Sequence, residues 1–252
     1  VLASGGLDSA VLLWESLRRY RAVTPLYIRA GLRWEAAEIV RLRRFLRRIR
    51  ALRRPSPKSG RLHPLQIVSL PMADLYGRHW STTGRAPAYD GGEASVYLPG
   101  RNITLFAKGA TFCALRGIPT LVSGVLRGNP YPDATPAFLR AIQRTLSRGL
   151  DTPIRIRTPF RRLGKDRVVR RGRHLPLHLT ISCSNPRRGH HCGACSKCAE
   201  RVEAFRRAGL RDRTDYAGGP GAAASRSGSG PAVVVPGART TRAAAKKEAS
   251  NR

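Results

Sequence analysis

The hexapeptide Ser4-Gly5-Gly6-Leu7-Asp8-Ser9 narrows the fold more than any other feature of the chain. It lies between a short apolar run ending at Leu2-Ala3 and an apolar-periodic stretch through Ala10, Val11, Leu13, Trp14 and Leu17. A strand, a glycine-rich turn and a helix in that order aim backbone amides and the positive end of a helix dipole at one point, which is an anion-binding geometry. The two glycines let the backbone approach a ligand closely. Ser4 and Ser9 add hydroxyls suited to phosphate oxygens. Asp8 repels phosphate and is expected either to hold Mg²⁺ or to cap the helix. No Gly-Lys-Ser/Thr follows, so this is not a Walker A loop. An ordinary strand–turn–helix with Asp8 as cap is the simpler alternative.

Beyond the loop, strands are predicted over 25–29, 65–70, 120–125 and 154–157, and helices over 35–50, 102–116, 135–148 and 165–171. In the 35–50 helix, Ile39, Leu42, Phe45, Leu46 and Ile49 share one face, and arginines fill the solvated remainder. Pro55, Pro57 and Gly60 mark 53–61 as a loop, and 71–99 reads as irregular, with Gly91-Gly92 inside it. Strands alternating with helices imply an α/β fold: a parallel sheet covered on both faces, with ligands at the carboxyl ends of its strands. From Ala217 to Arg252 the composition turns to Gly, Ala, Ser and scattered basic residues, expected to be a disordered basic tail.

Four of the five cysteines fall within sixteen positions: Cys183, Cys192, Cys195 and Cys198. The spacing offers four thiolates for a closed, structural, tetrahedral Zn²⁺ site, with an iron–sulfur cluster or a redox pair as alternatives. His190 and His191 lie nearby and are expected to be bystanders or outer-shell partners. Cys113, alone in a helix, is expected to be a buried core thiol.

The formal net charge is +32, which fits a polyanion such as RNA. Only six of the 47 basic residues are lysine, however, and they are spread along the chain, so codon composition explains the skew as readily as a partner does. No stretch is apolar enough to span a bilayer and no secretory leader is visible, so a cytoplasmic protein without membrane contact is expected. The chain opens on Val1 instead of Met, and its first strand is expected to be incomplete.

The hexapeptide resembles the PP-loop of the ATP pyrophosphatases, which cut ATP to AMP and pyrophosphate. Together with Cys-x8-Cys-x2-Cys-x2-Cys it resembles the 7-cyano-7-deazaguanine synthase family of queuosine biosynthesis. Intermediate segments agree: Pro99-Gly100-Arg101-Asn102 is similar to the family's PGRN segment, and Ser123-Gly124-Val125 to its strand-end glycine near ATP. Tyr131-Pro132-Asp133 is similar to its substrate-loop YPD, and Thr158-Pro159-Phe160 with Leu163-Gly164-Lys165 to its TPL…LSK. Coverage runs from Val1 to about Leu210. Two stretches depart: Ala30 to Glu35 lacks the Gln and His of the family's GQRH, and the loop from Gly124 to Phe138 is shortened, with Ala134, Thr135 and Ala137 where Cys, Arg and Glu are usual.

The resemblance implies a Rossmann-like (adenine nucleotide alpha-hydrolase-like) domain over 1–175 and a zinc-binding segment with its helix over 176–210, followed by the tail over 217–252. It implies ligation of ammonia onto 7-carboxy-7-deazaguanine with ATP, Mg²⁺ and Zn²⁺. ATP would be bound by Ser4, Gly5, Gly6, Leu7, Asp8, Ser9 and Gly124. Asp8, Arg101 and Lys165 would be catalytic, Tyr131 and Asp133 would meet the substrate, and the four cysteines would hold zinc. A homodimer and an RNA contact stay open. So do two alternatives: a PP-loop enzyme adenylating another carboxylate or an RNA base, and a non-catalytic zinc-containing RNA-binding protein.

Overall fold

A computed structural model describes residues 1–52, 60–91 and 94–217. Its elements are α1 (Leu7–Arg19), β1 (Ala22–Val23), β2 (Leu26–Arg29), α2 (Glu35–Leu52), β3 (Arg61–Leu62), β4 (Gln66–Ser69), α3 (Ala73–Tyr76), α4 (Trp80–Thr83), α5 (Arg101–Ala114), β5 (Thr120–Val122), α6 (Pro136–Gly149), β6 (Arg155–Arg157), α7 (Lys165–Arg171) and α8 (Ser196–Ala208). Short 3₁₀ turns occur at Ala94–Val96, Pro132–Ala134 and Leu177–Leu179.

The opening residues knit the strands together. Leu2 bridges Leu26 in parallel, and its N–H donates to the Val122 carbonyl at 2.9 Å. With β2 paired to β4 and β5 to β6, all parallel, the order across the molecule is β4, β2, the Leu2 segment, β5, β6. The chain reverses its direction of progress between Leu2 and β5, so the carboxyl ends there splay apart and leave a crevice. β1 and β3 extend the layer at its amino end. Pro25 and Pro64, which lack an N–H for the ladder, separate these two-residue strands from β2 and β4.

Both faces are covered, as the alternating pattern requires. One core gathers α1, α2, α7 and α8 around Leu12, Leu42, Phe45, Val168 and Phe205. The other gathers α5 and α6 around Phe106, Leu121, Leu139 and Ile154. In α2, Leu42, Phe45, Leu46 and Ile49 are buried while Arg43, Arg44, Arg47 and Arg48 are exposed, the division that the 3.6-residue period dictates. Thr135 caps α6 by accepting the Phe138 N–H, and Pro136 occupies the first turn, where no N–H is needed. Cys113 is buried in the second core.

Two loop expectations are corrected. Arg61 and Leu62 form β3, because pairing with Ala22 and Val23 supplies partners that a short sequence run does not reveal; 53–59 lies outside the described residues. Within 71–99, α3, α4 and a 3₁₀ turn appear. They are too short for a helical period, and tertiary contacts hold them: Trp80 stacks on Trp34 at 5.3 Å, and the Tyr76 hydroxyl donates to the Pro99 carbonyl at 3.0 Å. The basic tail, from 218 onward, lies outside the described residues. No described helix is long and apolar enough to cross a membrane.

Arg201 of α8 is fully buried. It donates to Thr180 Oγ1 and the Leu177 carbonyl, both at 2.9 Å, to Thr214 Oγ1 at 3.0 Å and to Asp212 at 3.3 Å. These bonds tie α8 to the segments before and after it. Arg201→Met removes the buried cation beside Asp212 and the bonds it makes, an expected loss of about 3–5 kcal/mol in urea denaturation; a loss below about 1 kcal/mol would contradict the assigned network.

Candidate functional site

A cavity of about 310 Å³ opens at the carboxyl ends of the strands, lined among others by Ser4, Asp8, Ser9, Arg101, Gly124 and Lys197. A larger opening of about 850 Å³, near Val23, Cys113 and Thr120, lies at the opposite, amino ends. Parallel sheets bind ligands at carboxyl ends, and the loop polar groups converge on the smaller cavity.

Gly5 turns the loop at φ +82°, and a Cβ there would stand 2.8 Å from the Glu38 carbonyl oxygen, so α2 packs where only glycine fits. Ser4 Oγ accepts the Gly6 N–H at 3.3 Å, and Ser9 Oγ donates to the Gly6 carbonyl at 3.1 Å. Asp8 does not cap α1. Gly6 is the cap position, without a side-chain bond, and Asp8 sits in the first turn. Its carboxylate faces Lys165 at 3.5 Å.

Lys165, the first residue of α7, also meets Glu200 of α8 at 2.6 Å, and the other Glu200 oxygen accepts from Lys197 at 3.0 Å. Burial disfavours the Lys165 charge, yet Asp8 and Glu200 outweigh it and raise its pKa. Burial likewise opposes the Glu200 charge, and the two lysines win, holding its carboxyl down to about 2. Asp8 fares worse. Burial raises its pKa, with a further push from Glu200, against the pull of Lys165 and Lys197. Its Oδ1 is buried with no hydrogen-bond partner among the described residues. A buried carboxylate oxygen with no donor, beside loop hydroxyls, fits a hard divalent cation such as Mg²⁺.

Arg101 opens α5 after Gly100 at φ +71° and lines the cavity without an ion pair to a described residue. Gly124 faces α1, where a Cβ would meet Asp8 Cβ at 3.7 Å. Tyr131 lines the wall, its ring 4.9 Å from that of Tyr97. Asp133 also lines it, but both its oxygens are engaged, accepting the Asn102 backbone N–H at 2.9 Å and side-chain amide at 3.1 Å.

The four cysteines converge: their sulfurs all lie within 4.8 Å of one another. Cys195 and Cys198 stand 3.6 Å apart, and the pairs Cys183–Cys195 and Cys192–Cys198 stand 3.9 Å apart. Zn–S bonds of about 2.3 Å give tetrahedral S···S edges of about 3.8 Å, so the donor set fits zinc. The N–H groups of Cys192 and Ala194 donate to the sulfurs of Cys183 and Cys192, which stabilises thiolates. Among the described residues the cluster holds the four sulfurs and neither histidine; His190 pairs with Asp215, and His191 Nε2 accepts the Ser182 N–H at 2.9 Å. Metal segment and loop meet directly, the Ile181 N–H donating to the Gly5 carbonyl at 2.9 Å.

Sequence reasoning misses Lys197, Glu200, Glu38 and Tyr27. Lysine scarcity is a usable signal, since two of the six lysines meet at Glu200. Glu35 and Glu38 carry none. Glu35 accepts the Ala30 N–H and faces Arg29, while Glu38 accepts from the Tyr27 hydroxyl at 2.6 Å at the cavity wall. Burial pushes the Glu38 carboxyl up to about 7, against the pull of Tyr27 and Arg101 and with a further push from Glu35.

Two consequences are measurable. The folded chain binds more protons at Glu38 than the unfolded chain between pH 4.5 and about 7, so this group's contribution to stability falls as pH rises through that window. Urea unfolding at both ends of the window is expected to show Glu38→Gln gaining stability relative to the parent as pH rises; a constant difference would contradict it. For the thiolates, Cys198→Ser is expected to lower bound zinc well below one per chain by elemental analysis and to lower Tm. Full retention of metal would overturn the four-thiolate assignment.

The family model for "Queuosine biosynthesis protein QueC" matches residues 1–209. The 7-cyano-7-deazaguanine synthase of Anaeromyxobacter sp. (strain Fw109-5) is 32% identical over 234 residues, covering 86% of this chain and 94% of the relative. That of Methanoculleus marisnigri (strain ATCC 35101 / DSM 1498 / JR1) is 33% identical over 228 residues, covering 85% and 96%.

Proposed function

The chain belongs to the family of the queuosine biosynthesis protein QueC, and on that premise we propose that it joins ammonia to 7-carboxy-7-deazaguanine to give 7-cyano-7-deazaguanine, cleaving ATP to AMP and pyrophosphate. The observation that carries this reading is the junction of Asp8, Lys165, Glu200 and Lys197 beside a glycine-rich loop at the sheet's switch point.

A carboxylate is a poor electrophile, and adenylation gives it a good leaving group. Ammonia attacks the acyl carbon and AMP departs, leaving the primary amide. A second ATP activates the amide oxygen, and loss of AMP with the nitrogen-bound protons leaves the nitrile. Both activations release pyrophosphate, so dense negative charge must be held where it develops. Amides of Gly5, Gly6 and Leu7, with the hydroxyls of Ser4 and Ser9, would cradle phosphate oxygens. Lys165 and Arg101 would supply positive charge, and Gly124 would leave room for the nucleotide. Asp8, through its unpartnered oxygen, would hold Mg²⁺, which supplies charge neutralisation for the polyphosphate.

On the substrate side, Tyr131 offers an aromatic face. Asp133, engaged by Asn102, would act on the base by fixing the start of α5 and any face of Asn102 left open. Cys183, Cys192, Cys195 and Cys198 would hold a structural Zn²⁺ that keeps Lys197 and Glu200 against the loop.

Zinc-loaded protein given 7-carboxy-7-deazaguanine, ammonia, ATP and Mg²⁺ is expected to release AMP, followed by chromatography. Asp8→Asn is expected to lower kcat by about 100-fold or more, equivalent to about 2.7 kcal/mol in the barrier. No AMP above background from folded, metal-loaded protein would sink the proposal.

A further inference from the structure

A third concavity, of about 420 Å³, opens where the end of α2, the turn after α7 and the segment after α8 meet. It shares no lining residue with the nucleotide cavity. Its rim carries Arg48, Arg173, Arg211 and Arg213, all exposed. Apolar residues also line it, among them the buried Leu175 and Phe205. No carboxylate lines it among the described residues.

Nearby acids are engaged elsewhere. Asp212 is held by Arg201 and the Tyr216 hydroxyl, Glu203 by Arg206 and Arg207, and Asp215 by His190. Arg48, Arg211 and Arg213 form no ion pair with a described residue. Burial lowers the pKa of the rim imidazole of His178, and Arg213, Arg201, Arg41 and Arg48 lower it further. Like charges gathered in a concavity without counter-charge raise the local concentration of anions.

We propose that this concavity binds a single nucleic-acid strand, with Arg48, Arg173, Arg211 and Arg213 contacting successive backbone phosphates. Four guanidinium groups from three separate chain segments can engage several phosphates of one strand at once. With Leu175 and Phe205 buried, the contact falls to the rim arginines, which the strand's backbone would track. RNA and DNA share this backbone chemistry, and the experiment separates them. Nothing in the site depends on the synthase reading, so the two can fail independently.

The test is fluorescence anisotropy with the full zinc-loaded chain and labelled single strands of about 20 nucleotides, one RNA and one DNA, across a salt series. The variant Arg48→Gln/Arg173→Gln/Arg211→Gln/Arg213→Gln is compared with a charge-matched control, Arg140→Gln/Arg144→Gln/Arg148→Gln/Arg162→Gln, whose positions are also exposed. Melting curves confirm that both fold, and the double variant Arg173→Gln/Arg213→Gln stands in if the quadruple does not. Rim substitution is expected to weaken binding at least tenfold and to shrink the salt slope by about 0.7 for each phosphate no longer held. The control should change binding less than about twofold, and AMP release should be unaltered in both. Binding of both strands supports backbone contact alone, and binding of RNA only adds a 2′-hydroxyl contact. Equal weakening by both variants, no binding by the parent, or equally effective competition from free pyrophosphate would overturn the proposal.

Discussion

Glu200 stands between two lysines, and the arrangement of the site depends on that contact. Its partners come from different places: Lys165 begins α7, and Lys197 lies between two cysteines at the start of α8. Lys165 in turn reaches Asp8 in the first turn of α1. Three helices thus meet at Lys165, and the Glu200 charge survives burial only because two cations surround it. The four sulfurs hold the start of α8, and the Ile181–Gly5 bond holds the other end of the same segment to the loop. A cysteine cluster far along the chain therefore helps shape the glycine-rich loop at the edge of the pocket.

Much of this is legible in the sequence wherever a residue pattern is long or chemically distinctive. The helix at Lys165–Arg171 and the buried stripe of α2 follow from periodicity, and the convergence of the cysteines follows from spacing. Features that depend on partners distant in sequence are not legible. β3 exists because Ala22 and Val23 lie beside it, and α4 because Trp80 finds Trp34. In sequence Glu38 is one more charge on a solvated helix, yet the Tyr27 hydroxyl and the close approach of α2 to Gly5 turn it inward. The residue pattern admits Asp8 as a cap or a metal ligand; Gly6 takes the cap position, while the unpartnered Oδ1 is what a cation would need.

The departure from the family's GQRH segment has a physical counterpart. Leu32 and Trp34 are buried with Leu98 in a small apolar cluster, packed on by Tyr76 and Trp80. These apolar side chains form a hydrophobic anchor for the segment that carries α3 and α4. Leu32 and Leu98 also line the cavity beside Met72, which gives this part of the wall an apolar surface.

Conversion of an acid to a nitrile leaves a mark that no simple ATPase or adenylating RNA-modification enzyme makes. Mass spectrometry of the product formed with ¹⁵N-labelled ammonia, read beside the AMP released, tests the account most directly. The expected result is a nitrile carrying the heavy nitrogen with two AMP formed for each molecule. AMP without labelled nitrile, or ADP in its place, would contradict it.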